Sequence, residues 1–333
     1  MKELTIKEAI DLLEDGEVVA IPTETVYGLA ADARSDTAVS KIFEAKGRPS
    51  DNPLIVHIGD IAQVDHLAID VSEKARLLMD HFWPGPLTVI LSSTDIISGL
   101  VTAGLTTVGL RMPSHQIALK LLRKSGIPLA APSANISGKP SPTSAMHVRN
   151  DLKDRITGFI NGGTCNIGLE STVIDMTTDV PIILRPGSIT RAEIEIVIGD
   201  VDSSDATFEK PKAPGMKYAH YAPKAKIFIV RGSLNFFRSL IKERKENGLR
   251  VGVLCHTSSR ALYKKAHVVL PLEKQGKNLY DSLREFDNQG ADVILSEDFG
   301  NEAVMNRLLK ASENRVLNED QASEERISSE VEN

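Results

Sequence analysis

Apolar positions along this chain fall either on one face of a helical period or into short unbroken runs, and most of the runs empty into polar loops. Ile6, Ala9, Ile10, Leu12 and Leu13 share one face of a helix over residues 5–15, with Gly16 as its left-handed stop. The run at 18–21 reads as a buried strand opening into Pro22-Thr-Glu-Thr-Val-Tyr-Gly-Leu29. A helix over 36–45 turns Val39, Ile42 and Phe43 inward and closes at Lys46-Gly-Arg-Pro-Ser-Asp-Asn-Pro53, ahead of a strand at 54–58. Further strands are predicted at 87–91, 107–111, 156–160, 171–175 and 181–185, and further helices at 72–82, 115–124 and 190–197. Several strands follow one another without a helix between them, which predicts a mixed sheet within an α/β fold.

The densest polar mouth is Pro128-Leu-Ala-Ala-Pro-Ser-Ala-Asn-Ile-Ser-Gly-Lys-Pro-Ser-Pro-Thr143, an apolar run that gives way to hydroxyls, an amide and one ammonium between prolines. Such a loop at a strand end of an α/β sheet suits a ligand, and it suits equally a turn before a helix capped by Ser141 or Thr143. Residues 200–212 are polar and apolar-poor and read as a linker. Beyond residue 225 the pattern resets to strand 226–230, helix 234–246, strand 250–254, a helix, strand 267–270, helix 277–289, strand 292–296 and helix 301–311. That is a parallel, Rossmann-like module, although Arg231-Gly-Ser233 stands where a Gly-rich phosphate turn would be. The expected division is a catalytic domain over 1–200, a linker or lid over 201–224, the module over 225–316 and an acidic, disordered tail over 317–333.

The net charge of −6 over 333 residues is concentrated in that tail, because residues 313–333 hold seven acidic and two basic side chains. The body is therefore close to neutral, and its composition does not predict nucleic-acid binding. No apolar run is long enough to span a membrane and no export signal is visible, so a cytoplasmic protein without membrane contact is expected. Cys165 and Cys255 lack paired spacing and read as small buried hydrophobes.

No Walker-type loop is present. Lys46, Arg48, Arg111, Lys139 and Arg185 are the cations near strand ends and loop mouths, and several of them converging would make an anion pocket. His57, inside an apolar strand, reads as a core histidine or a catalytic group. Glu24 and Glu170 read as general bases, metal ligands, caps or partners of the arginines. No cluster with metal-ligand spacing is seen.

Seven blocks carry a resemblance: Pro22-Thr-Glu-Thr-Val-Tyr-Gly-Leu29, Lys46-Gly-Arg-Pro49 with Asn52-Pro-Leu54 and His57, Trp83-Pro-Gly-Pro-Leu-Thr88, Arg111-Met-Pro113, Ala131-Pro-Ser-Ala-Asn-Ile-Ser-Gly138, Glu170-Ser-Thr172 and Leu184-Arg-Pro-Gly187. In this order they resemble the YrdC-like family of L-threonylcarbamoyladenylate synthases. Lys217-Tyr-Ala-His-Tyr-Ala-Pro223 and Ala303-Val-Met-Asn-Arg-Leu308 are similar to its longer, two-domain branch. The resemblance implies a twisted mixed sheet whose helices enclose a cavity. It also implies a nucleotidyltransferase that makes L-threonylcarbamoyl-AMP from L-threonine, bicarbonate and ATP, releasing pyrophosphate, for a separate transferase that modifies tRNA.

Carried over by residue, the resemblance places L-threonine at Thr25, His57, Arg111, Ala131 and Ser171, with Arg111 on its carboxylate. It places ATP at Lys46, Arg48, Asn52, Thr107, Ser133, Asn135, Ser141, Arg185 and Tyr221, with Lys46 and Arg48 as the catalytic cations and Mg²⁺ arriving with ATP. Tyr221 and His220 would reach the nucleotide as part of a lid. The rival readings are a carbamoyl-adenylate enzyme fed by carbamoyl phosphate, and a double-stranded RNA-binding module with weak RNA contact.

Overall fold

The alternation of Val18 and Ala20 with Val19 and Ile21 puts successive side chains into separate apolar clusters, so this strand is buried on both faces. The computed structural model describes residues 1–203 and 221–320. Among these, residues 1–137 and 141–203 form one unit, and residues 138–140 and 221–320 form a second.

The first unit holds a 12-stranded mixed sheet. Its strands lie in the order Lys2–Glu3, Gly158–Phe159, Val19–Ile21, Gly28–Asp32, Leu129–Ala130, Ile55–His57, Thr107–Arg111, Leu87–Ser93, Thr172–Asp175, Ile182–Arg185 and Asp202–Ser203, with Ala68–Ile69 pairing on Leu87–Ser93. One cluster packs Val56, Val89 and Leu110 with Ile42, Phe43, Leu78 and Met79. The other packs Val19, Ile21 and Leu129 with Ala9, Leu13, Leu121 and Leu122. The mixed sheet expected from the pattern is present. The pattern missed the strand Gly28–Asp32, whose Gly-Leu-Ala-Ala-Asp has no β-branched residue to signal it.

Register decides where the chemistry falls. His57 lies opposite Arg111 in a parallel pair and opposite Leu129 in an antiparallel one. The strand Leu87–Ser93 runs antiparallel to Thr107–Arg111, with Val89 opposite Leu110. Thr88 therefore arrives beside Arg111, and the parallel pairing of Leu87 with Thr172 brings Ser171 to the same end. Ile55 faces Gly109, which carries Thr107 to the other end, with Asn52 and Pro53. The helix Asp36–Lys46 is fixed at both ends, Ser35 Oγ accepting from Ala38 N and Gly47 closing it at φ 60°. That stop sets Lys46 at the last turn, pointing inward with 2% of its surface exposed.

The second unit is a five-stranded parallel sheet in the order Val268–Leu272, Val251–His256, Val293–Ser296, Lys226–Arg231 and Val316–Asn318. Helices Leu234–Glu246, Leu279–Asn288 and Glu302–Ala311 connect its strands, and the helix expected between the strands at 250–254 and 267–270 is the 3₁₀ helix Thr257–Tyr263. Val316–Asn318 pairs with Lys226–Arg231 and so reaches two residues into the stretch expected to be disordered. Residues 321–333 of that stretch, and the linker residues 204–220 including His220, lie outside the described residues. Both cysteines are buried, and neither forms a disulfide. Among the described residues no helix is long and apolar enough to cross a membrane.

Gly187 makes a tight backbone approach beside the sheet end that gathers the polar residues. A Cβ there would stand 2.3 Å from Thr172 N and 2.7 Å from the Ser171 carbonyl carbon. Both neighbours are backbone in a buried strand, so they cannot rotate away. Gly187→Ala is expected to lower the stability of the first urea unfolding transition by about 2 kcal/mol, the range of an overpacked core. An unchanged transition midpoint would show that the strand yields without cost.

Candidate active site

One end of the first sheet gathers a chain of directed hydrogen bonds around Arg111. The guanidinium donates from Nη2 to Glu24 Oε1 at 2.6 Å, from Nη1 to Thr25 Oγ1 at 2.9 Å and from Nε to the Gly85 carbonyl at 3.2 Å. Thr25 in turn contacts Thr23 Oγ1 at 2.9 Å, and Thr23 donates its own hydroxyl to the Val26 carbonyl at 2.6 Å. Thr25 must therefore donate to Thr23, and toward any ligand it can only accept. Three of the five Arg111 donors are committed, leaving one N–H on each terminal nitrogen. Those two N–H groups are what the carboxylate contact expected of Arg111 would use.

Beside this group, Ser171 Oγ lies 2.7 Å from Thr88 Oγ1 and accepts from Arg185 Nη2 at 3.1 Å. Arg185 Nε also donates to the Ser171 carbonyl at 3.1 Å. Of the residues expected to hold threonine, His57, Arg111 and Ser171 lie at one sheet end and the Arg111 side chain reaches Thr25, whereas Ala131 leaves its strand beside Ile55, toward the other end. Arg185, expected on the nucleotide side, is joined to them through Ser171. Thr88 was missed as a site residue because an isolated Thr within Leu-Thr-Val-Ile-Leu reads as strand.

The other expected nucleotide residues collect around the polar loop. Lys46 donates to the carbonyl of Ser133 and, at 2.7 Å, to that of Asn135, while its own carbonyl receives Ser137 N at 2.9 Å. Burial and the charge of Arg48 hold the Lys46 ammonium well below the ordinary lysine range. Arg48 Nη2 donates to the carbonyls of Asn52 and Pro53. The Asn52 side chain is 1% exposed, and neither of its amide atoms has a hydrogen-bond partner. A buried amide in that state is costly unless a ligand completes it. Ser141 donates to Glu170 Oε1 at 2.6 Å, next to Ser171 in the chain. The helix after the loop is capped by Ser144, not by Ser141 or Thr143, both of which are buried. Tyr221 belongs to the second unit, where its ring lies 5.3 Å from that of Tyr280.

Burial pushes the Glu24 carboxyl up, but the charge and hydrogen bond of Arg111 outweigh it and hold the group below the usual carboxylate range. His57 is pushed down to about 3 by burial and by the nearby Arg111 charge, so it is neutral near neutral pH. A neutral imidazole with Nδ1 unpartnered is suited to contact a substrate, not to act as a cation.

Residues 11–187 match the family described as "Telomere recombination", and residues 189–313 match "Threonylcarbamoyl-AMP synthase, C-terminal domain". The chain is 52% identical over 326 residues to the threonylcarbamoyl-AMP synthase of Bacillus subtilis, covering 94% of each sequence. It is 47% identical over 329 residues to that of Pyrococcus abyssi, covering 95% of this chain and 96% of the other. The crystal structure of P. abyssi Sua5 complexed with L-threonine superposes with a TM-score of 0.89 at 46% identity, covering 94% of this chain and 95% of that one.

The depressed His57 pKa has a sign that stability measurements can read. Below about 6.5 the unfolded chain binds a proton on this imidazole that the folded chain does not take up until about 3. Folding stability is therefore lost as pH falls through this window. Between pH 7.5 and 5, His57→Gln is expected to lose about 2 kcal/mol less than the unsubstituted protein in urea unfolding. Parallel losses in the two proteins would show that His57 is protonated in the fold.

Proposed function

The chain belongs to the threonylcarbamoyl-AMP synthase family, and from that membership we propose how its first unit divides the work of the reaction. The enzyme is a nucleotidyltransferase that combines L-threonine, bicarbonate and ATP into L-threonylcarbamoyl-AMP with release of pyrophosphate, the first step of tRNA threonylcarbamoyladenosine formation. Threonine nitrogen and bicarbonate form a carbamate, whose oxygen attacks the α-phosphorus while pyrophosphate leaves. The nucleophile is thus a substrate atom, and the protein's task is orientation and charge stabilisation.

In this reading Arg111, Thr25, His57, Ala131 and Ser171 hold threonine. Asn52, Thr107, Ser133, Asn135 and Ser141 hold ATP, and Arg48 and Arg185 meet charge on the phosphates. Lys46 contributes by fixing the loop carbonyls of Ser133 and Asn135, so its effect on the nucleotide runs largely through loop position. The observation that carries this reading is the double hydrogen bond of Arg185 to Ser171, which joins a phosphate-facing cation to an amino-acid-facing hydroxyl. Carbamate oxygen and α-phosphate must meet at such a junction.

Mg²⁺ would arrive with ATP, coordinated by its phosphate oxygens. The product is a mixed anhydride prone to hydrolysis, and a separate tRNA-modifying transferase complex consumes it.

Pyrophosphate release from ATP is expected to require L-threonine and bicarbonate together, with a threonylcarbamoyl-AMP mass appearing in step. Carbamoyl phosphate should not replace the pair. Arg185→Ala is expected to lower kcat by about 10²- to 10³-fold, the scale for removing one preorganised donor to developing charge. Release with carbamoyl phosphate alone would move the protein to the rival carbamoyl-adenylate chemistry.

A further inference from the structure

The second unit carries a groove to which the reaction assigns no task. Arg238, Ile241, Lys242 and Lys245 recur at helical spacing on one face of Leu234–Glu246, and Ala261, Leu262 and Tyr263 with Lys264 and Lys265 form the facing wall. The space between the walls is about 580 Å³. Its floor is apolar: Ile241 and Tyr263 are buried, and Leu262 is left 42% exposed. Its rim is basic, with Glu246 the one acid among the lining residues. Protein contacts already tie the walls together. Arg238 donates through Nε and Nη2 to the Leu262 carbonyl at 3.2 and 3.1 Å, and Lys245 Nζ donates to the Lys265 carbonyl at 2.7 Å. A phosphate backbone would use the cations and leave the floor wet. An apolar floor ringed by cations complements instead a segment that mixes acids with branched apolar residues.

Such a segment belongs to this chain. Residues 321–333, Gln321-Ala-Ser-Glu-Glu-Arg-Ile-Ser-Ser-Glu-Val-Glu-Asn333, hold four glutamates and one arginine, and place Ile327 and Val331 four positions apart, the spacing of one helical face. The preceding residues deliver the chain to the helix that builds the groove. Glu319 accepts from Ser233 N at 2.6 Å and from Ser233 Oγ at 2.8 Å, at the N-terminal cap of Leu234–Glu246. From Glu319 to Ile327 the chain spans about 26 Å when extended, whereas Ser233 to Ile241 along the helix is about 12 Å. The difference leaves length to pass around the helix. We propose that residues 321–333 dock in this groove in cis, Ile327 and Val331 covering the apolar floor and the glutamates meeting the lysines of the rim. Tethering makes the encounter intramolecular, so contacts too weak to hold a free peptide suffice. The docked segment neutralises the rim, and an RNA or other polyanion reaches it only by displacing the segment.

The test treats the full chain with a carbodiimide, which joins carboxylates to lysine amines without a spacer, and reads the joined pairs in the monomer by mass spectrometry. Cross-links from Glu324, Glu325, Glu330 and Glu332 are expected on Lys242, Lys245, Lys264 and Lys265 about fivefold more often than on Lys226 and Lys277, exposed lysines of the same unit outside the groove. Raising the salt to about 1 M should reduce them. The double substitution Ile327→Asp with Val331→Asp keeps every acid and adds two, yet is expected to lower the groove cross-links about fivefold by removing the apolar contacts. Undiminished cross-linking in that variant would reduce the effect to bulk attraction and overturn the assignment. An even spread over exposed lysines would overturn it as well. In a mixture of ¹⁴N- and ¹⁵N-labelled protein, cross-links that pair the two labels would seat the segment on a second copy, against docking in cis. Rim lysines that join no tail residue, yet become protected from acylation when tRNA is added, would assign the groove to a phosphate backbone and refute the proposal.

Discussion

The site depends on one buried ammonium. Lys46 leaves the end of the helix Asp36–Lys46, crosses into the interior and binds the carbonyls of Ser133 and Asn135, residues far along the chain. Its own carbonyl takes Ser137 N, so side chain and backbone of a single residue grip the loop at three points. A polar loop rich in proline and serine has no ladder to satisfy its carbonyls. Lys46 supplies those partners, and the enclosure that lets it do so pushes its pKa down.

A second economy of donors governs the other end of the sheet. Arg111 and Arg185 are each fixed by protein acceptors before any ligand is present, Arg111 by Glu24, Thr25 and Gly85, and Arg185 by Ser171. Preorganisation of this kind means that little reorientation is needed when charge develops on a substrate. The neutral His57 beside them adds shape and hydrogen-bonding capacity without further positive charge.

Much of this was legible in the sequence because strand ends and polar mouths coincide. The strands ending near His57 and at Arg111 exit side by side by register, and the Arg111 side chain then reaches Thr25 in the loop after the run before Pro22. The blocks resembling a known family supplied the roles, which spacing alone did not. What stayed hidden depends on contacts between distant positions. That Lys46 would bind loop carbonyls follows from a packing 87 to 89 residues away in sequence. Thr88 looked like strand, and Gly28–Asp32 looked like loop, since the first is a lone hydroxyl in an apolar run and the second a strand of poor β-formers. The strand Val316–Asn318 was hidden by the acidic residues that follow it.

The two bonds from Arg185 to Ser171 have a thermodynamic corollary. On the proposed division of the site, Arg185 on the nucleotide side and Ser171 on the amino-acid side share hydrogen bonds, so a ligand that shifted one would alter the energy of the other. Coupling of this kind is reciprocal: whatever factor ATP imposes on threonine affinity, threonine must impose on ATP affinity. On that division of the site, any coupling between the two substrates would pass through a single serine.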